Sequence, residues 1–261
     1  MDATTGYRIV AQNLDRSLAL TANRAPVKLG SEYWMENAGN VSSIEEFVGD
    51  SRLFRFAMTA FGLEELADAK GYMRKILEEG IAEPGTLANR TNDPRISEFA
   101  RTFDFATFGA DTMQRQATGQ AVVDQFVRQT LEVEAGELDG EGVRLALYFE
   151  RKAPEVNTVF EILADPALLK VVRTTLGLPQ EFSGADLQRQ AEVISDRLDI
   201  ADLSDPEALR DMLIRFTAVW DATENTASSP LLRLFSTGGQ QQSVASLNLA
   251  LSLSSLRLGG A

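Results

Sequence analysis

One feature restricts the fold of this chain more than any other: a segment of the sequence occurs twice, 115 residues apart. Aligned without a gap, positions 33–63 share nine identities with positions 148–178, where ordinary composition gives about two by chance. Tyr33 meets Tyr148, Ala38 meets Ala153, Val41 meets Val156 and Glu46 meets Glu161. Asp50 meets Asp165, Leu53 meets Leu168, Thr59 meets Thr174, and Gly62-Leu63 meets Gly177-Leu178. The matches fall on helix caps, helix stops and apolar positions. Ser43 and Glu46 have capping-box spacing, and Thr158 and Glu161 repeat it. Asp50 is placed to cap a second helix carrying Leu53, Phe56, Ala57, Ala60 and Phe61, and Gly62 stands where a left-handed residue ends it. Asp165 is followed by Pro166, a favoured first helical residue. A repeated helical unit is the economical reading.

The flanking segments follow the same grammar. Ala69, Tyr72, Met73, Ile76 and Leu77 form a helical stripe that stops at Gly80; Leu187, Ala191, Ile194 and Leu198 form its counterpart. Each unit then has an Asp-Pro helix start, Asp93-Pro94 and Asp205-Pro206. Ile96, Phe99, Ala100 and Phe103 follow the first, and Leu209, Leu213, Phe216 and Trp220 the second. A helix bearing Val123, Phe126, Val127 and Leu131 joins the units, and another near Gly142–Arg151 leads into the second. At the N-terminus, Tyr7, Ala11, Leu14, Leu18 and Ala22 predict one amphipathic helix stopped by Pro26, with a short helix around Glu32–Asn37 after it. No strand alternation is evident in the body. The expected class is therefore all-α and multihelical. Residues 1–120 hold the first subdomain with the N-terminal helix, 121–225 the connecting helix and second subdomain, and 226–261 a tail.

That tail contains Arg233 and Arg257 and no acid; the preceding residues carry −15 of a chain whose net charge is −13. Leu247, Leu249, Leu251 and Leu253 alternate as in a strand, while Val244, Leu247, Leu251 and Leu258 suit a helix. Gly238-Gly239 reads as a hinge. An apolar tail of this kind either covers the chain's own core or docks a partner or a second copy, so oligomers formed through it are one expectation.

Composition narrows the chemistry. There is no Cys and no His, which removes thiol nucleophiles, Cys/His zinc sites and imidazole acid–base catalysis. The acidic balance and the lack of basic clusters argue against nucleic acid. No apolar run approaches the roughly 20 residues of a membrane span, and the N-terminus lacks a signal-peptide pattern. Glu137, Asp139, Glu141 and Gly142 resemble the start of a calcium loop, but the twelfth position is Tyr148 rather than a bidentate Glu. Asp196, Asp199, Asp202 and Asp205 recur at a spacing of three, not two. Glu64-Glu65 and Glu78-Glu79 read as surface charge, and Tyr33, Trp34, Phe54, Phe56, Phe61, Tyr148 and Phe149 as core. No catalytic, cofactor-binding or metal-ligating residue is assigned, and no cofactor is expected.

With these residues identified, the chain resembles an alphaproteobacterial family of unknown function, often encoded among flagellar genes. The likeness is carried by YRIVAQNLDRSLALTANRAPV, VSSIEEFVGDSRLFRFAMTAFGLEE, EPGTLANRTNDPRISEFARTFDF, VRLALYFERKAPEVNTVFEILADPALLKVVRTTLGLP and IRFTAVWD. It covers nearly all of residues 7–221, in order. The resemblance implies a multihelical fold without recognised enzymatic activity, and no functional residues to carry over. The expected function is a non-enzymatic structural or assembly protein of the flagellum acting by protein–protein docking, located in the cytoplasm or exported without cleavage. Two rival expectations are a cytosolic export chaperone or adaptor and an enzyme using carboxylates.

Overall fold

The protein is described by a computed structural model that covers residues 1–91 and 93–228. The expectations for the tail from residue 229 onward lie outside the described residues. Among those residues there are helices and 3₁₀ turns and no strand, as the all-α reading requires.

In chain order the helices are α1 (Ala3–Gln12), α2 (Leu14–Ala22), α3 (Ala25–Asn37), α4 (Ile44–Gly49) and α5 (Ser51–Ala60). Then come α6 (Lys70–Glu79), α7 (Leu87–Arg90), α8 (Pro94–Thr102), α9 (Phe105–Phe108) and α10 (Gln120–Asp139). The second half contains α11 (Glu141–Lys152), α12 (Val159–Ala164), α13 (Pro166–Thr175), α14 (Leu187–Ser195) and α15 (Pro206–Ser228). The duplication is visible in this order. Helix α3, a 3₁₀ turn at Ala38–Asn40, α4 and α5 correspond to α11, a 3₁₀ turn at Ala153–Glu155, α12 and α13.

Local chemistry explains the matching boundaries. The Asp50 carboxylate accepts from the N–H groups of Arg52 (2.9 Å) and Leu53 (3.0 Å), and Asp165 from those of Ala167 (2.8 Å) and Leu168 (3.2 Å). Each aspartate thereby satisfies donors that the first helical turn leaves without a partner. At the other end Gly62 and Gly177 have φ of 66° and 64°. The next residue closes the helix from outside: Leu63 N–H donates to the Met58 carbonyl (2.8 Å) and Leu178 N–H to that of Arg173 (2.9 Å), the six-to-one bond of a Schellman end.

Three sequence expectations need correction. The N-terminal helix is two helices, broken at Asn13. Pro26 does not stop a helix: it lies in the first turn of α3 and helps start it, where a missing N–H costs nothing. The second capping box keeps only its carboxylate leg. Glu161 accepts from Asn157 N–H and Thr158 Oγ1–H, while the Thr158 side chain accepts no backbone N–H. In the first box Ser43 Oγ accepts from Glu46 N–H, and Glu46 accepts from Ser42 N–H, one residue further out.

Residues Met1–Trp220 form one compact unit with two hydrophobic clusters. The first is aromatic: Trp34 stacks on Phe56 at 5.2 Å, and Phe47 meets Phe54 edge-on, Phe103 tilted and Phe99 nearly parallel. The second is aliphatic, built from Val143, Leu147, Ile162, Val171, Val172, Ile194 and Leu213 around Phe149 and Phe216. Helix α1 joins this second cluster through Ala3 and Tyr7. Leu187, expected on a buried stripe, is exposed. Helix α10 packs on α5 and α2 of the first half and on α11 of the second. Of the unit Asp221–Ala261, only the end of α15 is described.

Candidate docking site

The repeat brings together a pair of side chains that the sequence shows only as two recurring letters. Tyr33 donates its hydroxyl to the Asp50 carboxylate and Tyr148 donates to Asp165, both at 2.7 Å and both 17 residues apart. The helix-capping aspartate is thus also the anchor that ties the preceding helix, α3 or α11, across to α5 or α13. Asp50 is held below the ordinary carboxylate range: desolvation opposes this, and the Tyr33 hydroxyl and two backbone donors outweigh it. Burial, then the Asp165 carboxylate, push the Tyr148 phenol well above its ordinary range.

Between the halves lies a buried charge network. Glu132 on α10 is 1% exposed. Its oxygens accept from Arg128 Nε (2.9 Å), Arg151 Nε (2.7 Å) and Arg151 Nη2 (2.8 Å). Arg128 also donates to the Leu147 carbonyl at 2.8 Å, and Arg151 to Gln129 at 3.0 Å. Tyr7 of α1 donates to Glu150 at 3.2 Å, and Arg128 reaches the other oxygen of Glu150 at 3.4 Å. Burial disfavours the Arg151 charge, but the bonds to Glu132 outweigh it and raise the guanidinium further above its ordinary value. Lys152 pairs with Glu98 at 2.5 Å and links α11 to α8. Arg95 donates to the Gly62 carbonyl and pairs with Asp93 and Glu65.

A cavity of about 300 Å³ borders this network, lined by residues of both halves, among them Gly62, Arg95, Gln129, Arg144, Tyr148 and Asp165. Its carboxylates are committed. Glu132 is held by two guanidinium groups, Asp165 by Tyr148 and two N–H groups, and Asp93 by Arg95 and its N–H. A general acid or base needs a carboxyl group free to exchange its proton with a substrate.

The residues weighed in the sequence do not converge. Glu141 pairs with Lys170 at 2.9 Å, and Asp139 lies 3.7 Å from the N-terminal amine. Asp199 and Asp205 cap a 3₁₀ turn and α15. Glu65 meets Arg95, while Glu79 accepts from Leu87 N–H. Among the described residues no group of three or more acids is placed to hold a metal ion. Trp34, Phe54, Phe56, Phe61 and Phe149 are core, as expected; Tyr33 and Tyr148, expected there too, are half-buried.

What the structure leaves open is helix α3. One flank, with α5 and Phe126 of α10, borders a cavity of about 320 Å³ lined by Pro26, Leu29, Tyr33, Arg52 and Phe56. The other flank forms a groove of about 360 Å³ with α2 and α10, walled by Leu18, Ala22, Val123 and Val127 and rimmed by Lys28, Glu32 and Asp124. The C-terminal end of α3 borders a third cavity, of about 570 Å³, beside Met35 and Gln114–Gln120. Leu20 on α2 and Leu29 and Met35 on α3 are 61%, 60% and 51% exposed. Leu29 lines the first of these cavities and Met35 the third, while Ile9, Leu138, Phe160 and Leu187 are exposed on other helices; exposed apolar side chains that border grooves mark interaction surfaces. Sequence reading missed this face because Leu20, Leu29 and Met35 lie on two helices and form no three- or four-residue stripe.

Known proteins place the chain by family. A family model described as a protein of unknown function, DUF1217, matches residues 60–209. The chain is similar to a protein of Agrobacterium tumefaciens of known crystal structure, with 41% identity and a TM-score of 0.78. The match covers 85% of this chain and 96% of that one. No curated protein matches.

Proposed function

This chain belongs to the DUF1217 family, and we propose that it is a non-enzymatic structural or assembly protein of the bacterial flagellum that works by docking another protein. The observation that carries the reading is the α2–α3–α10 face. Leu20 of α2 and Leu29 and Met35 of α3 are exposed, and α3 borders both a groove walled by Leu18, Ala22, Val123 and Val127 and a second cavity beside Met35. A groove with this lining suits the apolar side of an amphipathic helix, and the Lys28, Glu32 and Asp124 rim would set its register. The flagellar assignment is supported by the resemblance carried by residues 7–221. The engaged carboxylates of the inter-repeat cavity support a binding role over a carboxylate enzyme.

The test is genetic and biochemical together. A clean deletion should impair swimming or filament assembly. Cross-linking from motile cells should recover a flagellar component with the wild type and not with Leu20→Asp/Met35→Asp, whose circular dichroism should match wild type. A deletion strain that swims and builds filaments normally would count decisively against the proposal. Fractionation separates the adaptor reading, which places the protein in the cytosol, from a structural one, which places it in the purified basal body or hook.

A further inference from the structure

The two repeats share a chemistry but are not covered alike. In the second, the groove running past Arg144, Tyr148 and Ala167 is closed by the first repeat: Phe61-Gly62 at the end of α5 and Asp93–Arg95 at the start of α8 lie along it. Shifted by 115 residues, the same groove in the first repeat runs past Leu29, Tyr33 and Arg52. There it is open, and Leu29 is largely exposed within it.

The corner that does the closing shows the converse. Phe61 and Leu63 are buried and Pro94 and Arg95 half-buried. Their counterparts Leu176 and Leu178 are only half-buried, and Pro206 and Glu207 are exposed. One joint between repeats is made inside the chain. Among the described residues, a groove on the first repeat and a corner on the second are the two unused halves of the same joint.

We infer that a second copy of this chain fills them: its Leu176–Leu178 corner and its Asp205–Glu207 helix start seat in the Tyr33 groove of the first copy. The inference is independent of the flagellar proposal and concerns a different flank of α3. Charge supports it. At the internal joint the corner carries Arg95, and the groove carries Arg144 and, at the place of Arg52, Ala167; at the other ends the groove carries Arg52 and Arg55 and the corner carries Glu207, beside Asp202 and Asp205. Arg52 lies over the Tyr33 ring at 3.6 Å and, among the described residues, makes no ion pair within 4 Å. Arg55 pairs with the exposed Asp68. Asp50 beneath them is engaged by Tyr33 and two N–H groups. Copies of a chain with net charge −13 repel one another, and a basic groove facing an acidic corner offsets that locally. Because groove and corner are different surfaces, the contact is head-to-tail and builds a ring or a filament rather than a closed dimer.

Light scattering and sedimentation of the full chain across concentration test this. Wild type should grow past a dimer as concentration rises. Arg52→Glu alone and Glu207→Arg alone should each weaken self-association on the order of tenfold or more. Mixed in equal amounts the two reversed chains should recover assembly, because each offers the charge the other lacks, and R52E/E207R in one chain should recover it too. Recovery also shows that both reversed chains are folded. A monomeric mass at every concentration, assembly untouched by both reversals, or a mixture no larger than its separate components would overturn the inference.

Discussion

Replacing Glu132 with Gln removes one negative charge from the middle of the α10–α11 contact and little else. The side chain keeps its volume, but an NH₂ group replaces an oxygen that accepted from a guanidinium. Three hydrogen bonds of 2.7–2.9 Å converge on this carboxylate, which is 1% exposed. Breaking a buried ion pair by removing one partner costs about 3–5 kcal/mol. Arg128 keeps the Leu147 carbonyl and Glu150, and Arg151 keeps Gln129 and its place over the Tyr148 ring. These residual partners put the expected loss at the lower end, about 3 kcal/mol. For a unit spanning Met1–Trp220, each kcal/mol moves Tm by about 2–4 °C, so melting should fall by roughly 6–12 °C. Urea unfolding followed by circular dichroism at neutral pH should show a lower midpoint at an unchanged slope. A companion variant, Arg128→Met/Glu132→Leu/Arg151→Met, should be less damaged than E132Q, because the desolvation cost of three charges disappears with their attraction, while Glu150 keeps Tyr7 and the Leu147 carbonyl loses its donor. A loss under about 1 kcal/mol for E132Q, or a triple variant as damaged as E132Q, would refute the claim that uncompensated charge sets the cost.

The duplicated tyrosines should respond unequally to one chemical change: Tyr148→Phe, whose hydroxyl bonds a buried aspartate, should cost about 1–2 kcal/mol, and Tyr33→Phe distinctly less, by denaturant unfolding. Gly62→Ala should cost about 1–2 kcal/mol, since its φ of 66° strains an L-residue and the new Cβ would stand 3.0 Å from Gln129 Nε2; Gly71→Ala in α6, where a Cβ meets nothing within 4 Å, should be neutral or stabilising by calorimetry. Asp50 has a depressed folded pKa, so the stability it adds is complete above its unfolded value near pH 4 and is lost as pH falls through the folded one. Asp50→Asn should therefore narrow its deficit against wild type in acid, and a deficit independent of pH between 2 and 6 would contradict this.

The Tyr–Asp bridges mark where sequence reading stopped short. Tyr33, Tyr148, Asp50 and Asp165 all stood among the nine identities, and the aspartates were legible as caps. Their second duty was not, because a bond between residues 17 apart depends on how α3 packs against α5. Pro26 shows the opposite failure: a local signal with two local meanings, stop or start, which only the run of helix after it resolves. Arg128 and Glu132 have the spacing of a common surface pair. Nothing in that spacing says that Arg151, from another helix, also bonds Glu132 and that water is excluded.

The aspartate caps and glycine stops of the two units follow from residues within a few places of one another, and the doubling shows when segments 115 residues apart are compared; short-range sterics and hydrogen bonding fix these features, but did not reveal the break at Asn13 or the start at Pro26. Which apolar faces meet, and which are left facing outward, follows from distances between residues far apart in the chain. Leu29 and Arg144 occupy equivalent places in the two repeats, yet one lies in an open groove and the other lines a cavity between the halves. That difference comes from neighbours supplied by the rest of the fold, since burial is a property of what surrounds a side chain and not of the side chain alone.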